Sequence, residues 1–566
     1  MDRRIPIGIE FYKKMVEGNY YYVDKTLLAK EILELGASVS LFTRPRRFGK
    51  TLAMTMLQAF FEDERDGHGE KVDNSHYFEG KKIVEHGEIC EKHMGRYPVI
   101  NLSLKSAKQP DYEMAYNVLV NAIRGEFRRH DYVLEGDALA EDIKENYRAI
   151  MGKKAESDEY ATSLAFLSEC LEKYHGIGAV ILIDEYDVPL ENSYFEGFYD
   201  RMIKFIRSLF ESALKTNKSL AFGVVTGCLR ISRESIFTGL NNLKVVSILN
   251  NDCAECFGFT PGEVGQFLRD YGMERRTGEV QRWYDGYLFG ETEVYNPWSV
   301  INYIDDNKKK TGEFFPKPYW SNTSSNSIVK ELIEEADFIT RGEIEELMDG
   351  GVIEKPIHED ITYDDIHETQ DNLWNFLFFT GYLKKVGEHF AGDTIYLRME
   401  IPNAEIRYIY RNTILTWFDK RIRNADMSPL IQAMEQGDYE AMGEFLSGQL
   451  LDTISFFDYA ENYYHGFLSG LLKVSGRYLV RSNGESGEGR ADLLVYSPTV
   501  RGKAFILELK VAGEYGQMEE KCREALEQAA KKNYRSEFER NGYKDITVYG
   551  ICFYRKECLV KMEQQG

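Results

Sequence analysis

The sequence predicts an α/β protein with a parallel sheet covered by helices in its first part and a second, smaller α/β domain at its C-terminal end. Three observations predict it. First, short apolar runs alternate with stretches of helical composition: Val39–Phe42, Tyr97–Leu104, Ala179–Ile183 and Leu220–Thr226 read as strands, and 112–128, 161–174 and 195–214 as helices. Second, two of those strands end in charged segments, Arg44-Pro45-Arg46-Arg47-Phe48-Gly49-Lys50-Thr51 and Asp184-Glu185. Third, Arg490–Val495 and Ala504–Lys510 read as two late strands carrying Asp492, Glu508 and Lys510.

Taken in order, the chain first offers Tyr20-Tyr21-Tyr22-Val23-Asp24-Lys25-Thr26 ahead of a helical stretch, Leu27–Leu35, with Asp24 placed as its N-cap. The three tyrosines read as core packing, with stacking on a base as the other use. Strand, basic loop, Gly-Lys-Thr, helix is the context of a phosphate-binding P-loop, the mark of a P-loop NTPase sheet. Loop amides and the helix N-terminus cradle anionic oxygens. All eight residues from Arg44 to Thr51 are therefore candidates for binding ATP. Lys50 is placed for the β- and γ-phosphates and Thr51 for Mg²⁺. The pattern departs from the usual one at its first position, where Arg44 stands for Gly.

Ala179–Ile183 is apolar throughout and ends in Asp184 and Glu185, at the sheet edge where open α/β sheets bind ligands. Asp184 is the expected Mg²⁺ ligand and Glu185 the group that polarises the attacking water. Thr226, at the end of the next strand, is a candidate γ-phosphate sensor; Arg230 and Arg233 are candidates for stabilising charge on the transferring group. The expected boundaries are a nucleotide-binding core over 1–250, a helical lid over 251–312, a mixed connector with winged-helix-like character over 313–440 and a final domain over 441–566. Thr260-Pro261-Gly262-Glu263 is a capping box that opens a lid helix. Trp283–Tyr287 and Tyr295–Ser299 read as lid packing.

In the final domain, period-2 alternation puts Phe505, Leu507 and Leu509 on one face and Ile506, Glu508 and Lys510 on the other. A hairpin brings Asp492 beside them. Two carboxylates and a lysine suit phosphodiester cleavage: Asp492 and Glu508 hold Mg²⁺, and Lys510 orients or deprotonates the water. Glu461, on a helical run from Tyr459 to Leu472, is a candidate further ligand. Gln528, on a following helix, is a candidate brace.

Composition sets bounds. The 566 residues carry a net charge of −22, which argues against a general coat for polyanions. Residues 501–566 are more permissive, with 13 Lys+Arg against 11 Asp+Glu. No run of about 18 apolar residues exists, so no membrane span is expected. Eight scattered cysteines and an N-terminus without an apolar core fit a reduced, cytoplasmic setting. Cys253 and Cys256 form a CxxC pair without a partner pair, so no zinc site is expected there.

Tyr22–Thr26, Arg44–Thr51, Asp184–Asp187 and Thr226-Gly227 together resemble the AAA-ATPase-like proteins of bacteria, a family that tolerates Arg at the first P-loop position. Asp492, Glu508-Leu509-Lys510 and Gln528 resemble the PD-(D/E)xK nuclease domain that often ends such chains. The resemblance implies an ATPase using ATP and Mg²⁺, joined to a metal-dependent nuclease that acts on nucleic acid, DNA foremost, with a homo-oligomer as one form. The alternative is a nucleotide-switched regulatory protein whose nuclease-like domain docks a partner without cutting.

Overall fold

The computed structural model describes residues 3–229, 242–309, 315–320, 329–330, 337–358, 369–424, 426–451, 461–474, 476–486 and 489–563. The chain forms two compact units, one of residues 1–326 and 352–409 and one of residues 327–351 and 410–566.

The first unit is built on five strands: β1 (Val39–Thr43), β2 (Val99–Ser103), β3 (Ala179–Asp184), β4 (Leu220–Gly227) and β5 (Leu243–Val246). Their order is β2-β3-β4-β1-β5, and every pairing is parallel. Every residue of β1 and β3 is buried, as expected of strands covered on both faces. In register, Leu41 of β1 and Ile183 of β3 both face Val225 of β4. The segments that leave these three strands therefore emerge side by side at one sheet edge. The expected helices appear as Tyr112–Arg129 and Ser157–His175. The run over 195–214 is broken instead, into Val188–Phe195 and Tyr199–Phe210, because Gly197 takes φ +78° between them. β5 has only four residues and gave no sequence signal.

Residues 251–309 contribute the helices Pro261–Asp270, Thr277–Tyr284 and Pro297–Asn307 and a hairpin of β6 (Tyr287–Phe289) and β7 (Thr292–Val294). The Thr260 capping box forms: its hydroxyl accepts from Glu263 N (3.3 Å) and its own N donates to Glu263 (2.8 Å). Tyr21, Phe267, Tyr284, Tyr295 and Tyr303 share one apolar core, with Tyr21 stacked on Phe267 at 4.0 Å.

The expected separate connector over 313–440 is corrected. Its described part over 352–409 belongs to the first unit, as the antiparallel sheet β8 (Ile353–Pro356), β9 (Lys384–Ala391) and β10 (Thr394–Glu400) with the helix Gln370–Thr380. Polar bonds explain this. Asn403 donates to Asp285 O (2.7 Å), and Ser299 Oγ and Trp320 N donate to Glu405 (2.7 and 2.8 Å). The second unit correspondingly begins at Tyr410 rather than at 441.

That unit carries a mixed sheet, β11 (Leu479–Ser486), β12 (Gly489–Tyr496), β13 (Lys503–Val511), β14 (Asp545–Tyr554) and β15 (Glu557–Met562), in sequential order. Only β13 and β14 run parallel, joined through the helices Met518–Lys531 and Arg535–Arg540. Phe505, Leu507 and Leu509 pack with Leu430, Met434 and Leu446 of the helices before the sheet. Ile506 packs on the other face with Ala529 and Phe538. The alternation expected along β13 is realised.

Candidate functional site

At the common edge of β1, β3 and β4 lies a cavity of about 420 Å³. Arg46, Arg47, Phe48, Gly49, Lys50 and Thr51 line one side, and Glu185, Asp187 and Cys228 another. The loop turns through two left-handed residues, Arg47 (φ +69°) and Gly49 (φ +87°), before the helix Lys50–Phe61 begins. A left-handed turn ahead of a helix N-terminus forms a concavity of backbone N–H groups that accepts an anion. The charges agree. Six cations line the cavity (Lys25, Arg46, Arg47, Lys50, Lys105 and Lys108) against four carboxylates, in a chain of net charge −22. Tyr22, Phe259, Trp298 and Ile301 add apolar surface to its lining.

Lys50 is buried and donates to Arg44 O (2.8 Å), Pro45 O (3.0 Å) and Cys228 Sγ (3.4 Å). Burial raises the Cys228 thiol to about 11. Arg46 pairs with Glu191, and the Arg47 guanidinium lies 4.5 Å over the Trp298 ring. Trp298 therefore belongs to the cavity wall and not only to packing, which corrects the sequence expectation.

Three expected nucleotide contacts, Arg44, Pro45 and Thr226, are also corrected. Arg44 and Pro45 do not line the cavity. The Arg44 side chain is fully buried behind the loop, donating to Thr43 O (3.0 Å), Val246 O (2.8 Å) and Asp252 O (3.4 Å) and lying over the rings of Phe257 and Phe289. Its loss of solvent lowers its pKa to about 10. Thr226 is buried too, and its hydroxyl is committed to Asp184 Oδ1 at 2.5 Å rather than to the cavity. Asp24 likewise does not cap the helix Leu28–Leu35: it accepts from Thr26 N (2.9 Å) and from Lys82 N (2.7 Å), the first residue of the short 3-10 helix Lys82–Glu85.

The acidic turn after β3 splits its roles. Asp184 sits behind the wall, and Glu185 and Asp187 line the cavity. Glu185 takes φ +52°, a left-handed conformation that costs a non-glycine residue about 1–2 kcal/mol. Burial raises the pKa of Glu185, Asp184 adds to the rise, and Lys50 opposes it. Burial also raises Asp187, against Lys50. Gly227 makes room for this turn, since a Cβ there would fall 2.5 Å from the Tyr186 ring and 3.0 Å from Asp187 Oδ1. Asp184 Oδ2 and Asp187 Oδ1 are buried without a hydrogen-bond partner among the described residues. Such acceptors fit a divalent cation, so the residues present suit a metal–nucleotide complex. Asp187, Cys228 and Trp298 were missed in the sequence. Asp187 alone had a signal, two residues beyond Glu185 in the same acidic turn.

The second unit holds the other constellation. Leu493 pairs with Leu507 across β12 and β13, which puts Asp492 beside Glu508. Asp492 Oδ2 accepts from Leu509 N at 2.8 Å, and Asp492 N approaches Glu508 Oε2 at 3.4 Å. Lys510 Nζ lies 3.8 Å from Glu508 Oε1, and the Gln528 amide donates to the same oxygen. Glu508 is only 1% exposed. The structure thus brings together Asp492, Glu508, Lys510 and Gln528. Two oxygen-bearing side chains on adjacent strands suit a hard divalent ion. His465, on the helix Glu461–Val474, was not foreseen: its Nε2 lies 2.9 Å from Asp492 O and 3.1 Å from Ser482 Oγ. The only hint was its place one helical turn beyond Glu461. The Glu461 side chain lies outside the described residues, as do Arg230 and Arg233.

Comparisons with known proteins find a family match around each of the two centres. Residues 6–237 match the family described as "Predicted AAA-ATPase", and residues 459–563 match the PD-(D/E)XK nuclease superfamily. The chain joins an AAA-ATPase-like domain to a PD-(D/E)XK nuclease superfamily domain. It is similar over 98% of its length to an "Uncharacterized protein in vnfD 5'region" of Azotobacter chroococcum mcd 1, with 24% identity across 97% of that protein. It is also similar to the Walker-type ATPase PABY2304 of Pyrococcus abyssi, at 12% identity over 69% of this chain and 96% of that one, with a TM-score of 0.37, too low to bear on the fold. No helix among the described residues is long and apolar enough to cross a membrane.

Proposed function

We propose that the protein binds and hydrolyses ATP in the first unit and cuts nucleic acid, DNA foremost, at a divalent-metal centre in the second. The observation that carries the reading is the meeting of Asp492, Glu508 and Lys510 at one point of the β12–β13 pair. Asp492 and Glu508 would hold Mg²⁺, which when bound polarises the scissile phosphate and lowers the pKa of its water. Lys510 keeps a donor beside that water and beside the developing negative charge. Gln528 holds Glu508 in place by its amide.

In the first unit, Lys50 leaves the Arg44 and Pro45 carbonyls to meet the β- and γ-phosphates. Thr51 and Asp187 would hold Mg²⁺ from the cavity wall, and Asp184, behind that wall, would reach it through water. Glu185, with its raised pKa, accepts a proton from the attacking water. The base would lie against the apolar lining beside Tyr22 and Trp298.

One observation favours the non-cutting alternative: Glu508 is buried, and Gln528 and Lys510 already share its Oε1. Incubation of supercoiled DNA with Mg²⁺, with and without ATP, separates the two readings. The cleavage reading expects nicked or linear product from the wild type and a loss of at least about 100-fold in Asp492→Asn and Lys510→Ala. No cleavage of DNA or RNA under either condition, with ATP turnover intact, would leave the docking reading.

A further inference from the structure

Behind the P-loop, the helix Leu28–Leu35 and the segment before Phe257 bring three ligating groups together. The Glu31 carboxylate and the thiols of Cys253 and Cys256 have ligand atoms all within 4.8 Å of one another. Both cysteines are buried and neither is in a disulfide. Cys253 adopts a left-handed φ of +52° as the N-cap of the short 3-10 helix Ala254–Cys256, which carries Cys256. The spacing of the sulfurs and the oxygen suits a tetrahedral ion with thiolates at about 2.3 Å and a carboxylate at about 2.0–2.2 Å.

A second, independent observation concerns charge. The Arg44 guanidinium is wholly buried, and no carboxylate among the described residues pairs with it. Its bonds go to three backbone carbonyls, its faces meet Phe257 and Phe289, and its Nε has no partner among the described residues. An isolated buried cation is costly, several kcal/mol even after relaxation. Among the described residues, the groups that act on it and can carry negative charge are the thiols of Cys253 and Cys256. As neutral thiols they leave Arg44 uncompensated. Two thiolates and one carboxylate around a divalent ion leave a net charge of −1, which Arg44 balances.

We propose that Glu31, Cys253 and Cys256 bind one zinc ion, with Arg44 as its buried counter-charge. Soft thiolates select zinc over the hard ions suited to the two phosphate-handling centres. Metal binding releases the two thiol protons to solvent, and water or a fourth donor completes the shell. The expectation from sequence that no zinc binds here rested on the want of a second cysteine pair. The third ligand comes instead from a glutamate far away in the chain. Cys256 also lines the nucleotide cavity. The ion would therefore pin the CxxC segment against both the P-loop base and that cavity.

The test uses the full chain purified without chelator. Metal analysis and replacement of the ion by Co²⁺ are the two readouts. The expected result is one equivalent of zinc and, with Co²⁺, a sulfur-to-cobalt charge-transfer band, both absent in the C253S/C256S double variant. Glu31→Gln, which keeps both thiols, should weaken zinc binding at least about tenfold by competition with a chromophoric chelator. It serves as the readout if the double variant does not fold. A wild-type chain with no cobalt–thiolate band would overturn the proposal. So would zinc retained undiminished in C253S/C256S, which would place it elsewhere, for example at Cys522, Cys552 and Cys558. A Cys253–Cys256 disulfide found by thiol titration of the unfolded chain, or unchanged affinity in Glu31→Gln, would overturn it equally.

Discussion

The two centres handle charge in opposite ways. The nucleotide cavity is open, about 420 Å³, and its lysine is satisfied by the loop's own carbonyls. On the proposed function, a phosphate arriving there would replace backbone oxygens around Lys50 that are already in position. The carboxylate cluster of the second unit is closed. Glu508 is 1% exposed, and its oxygens are shared among Gln528, Lys510 and the neighbouring strand. A metal arriving there must compete with bonds that hold the cluster together. The contrast teaches that the first site is poised to exchange its ligand and the second to keep its shape. The first should respond gradually to substitutions of its aromatic and apolar wall, and the second should be lost outright by any change of charge.

The sharpest way to break that comparison is at Lys50 and Glu185. Lys50→Ala should abolish nucleotide binding, measured by calorimetry with ATP and Mg²⁺, whereas Glu185→Gln should bind ATP with turnover reduced about 10²–10⁴-fold. Normal turnover in either variant would remove the first site. Next in size is Thr226→Val. It strips Asp184 of its hydroxyl donor inside the core and should cost about 1–3 kcal/mol in denaturant unfolding. An unchanged midpoint would mean that Asp184 is satisfied some other way. Trp298→Ala should weaken nucleotide binding by about 0.5–2 kcal/mol through the lost Arg47 contact, with little effect on DNA cleavage.

The last effect is one of pH. Burial raises the Glu405 carboxyl from its ordinary value to about 7, though Ser299 and Trp320 donate to it. A carboxyl whose pKa is higher folded than unfolded stabilises the fold when protonated. That contribution is complete below about pH 4.5 and is lost as pH rises through about 7. The first unit should therefore lose up to roughly 3 kcal/mol between those limits. Glu405→Gln should flatten the dependence in thermal melts. A profile unchanged by the substitution would assign the effect to another group, such as Asp285, also raised to about 7 by burial.

The contrast between the centres also decides what could be read from sequence. Lys50, Thr51, Glu185, Asp492, Glu508 and Lys510 sit at fixed offsets from strand ends, and period and spacing suffice to find such residues. Gln528 was found because a helix returning to a strand is short and local. Arg44 and Thr226 were misassigned because adjacency to a loop does not say which way a side chain turns. Burial behind β1 and the bond to Asp184 decided that. Trp298, Cys228 and His465 were illegible, because each reaches its site through tertiary packing from another element. The connector was misdrawn for a similar reason: the bonds from Asn403 and Glu405 cross long stretches of chain.

The most direct test of two separate chemical centres measures both activities in a single variant. Asp492→Asn, assayed in Mg²⁺ for ATP hydrolysis and for DNA cleavage in the same preparation, should retain hydrolysis near the wild-type rate and lose cleavage altogether. Cleavage persisting in that variant, or hydrolysis and cleavage vanishing together, would contradict the account.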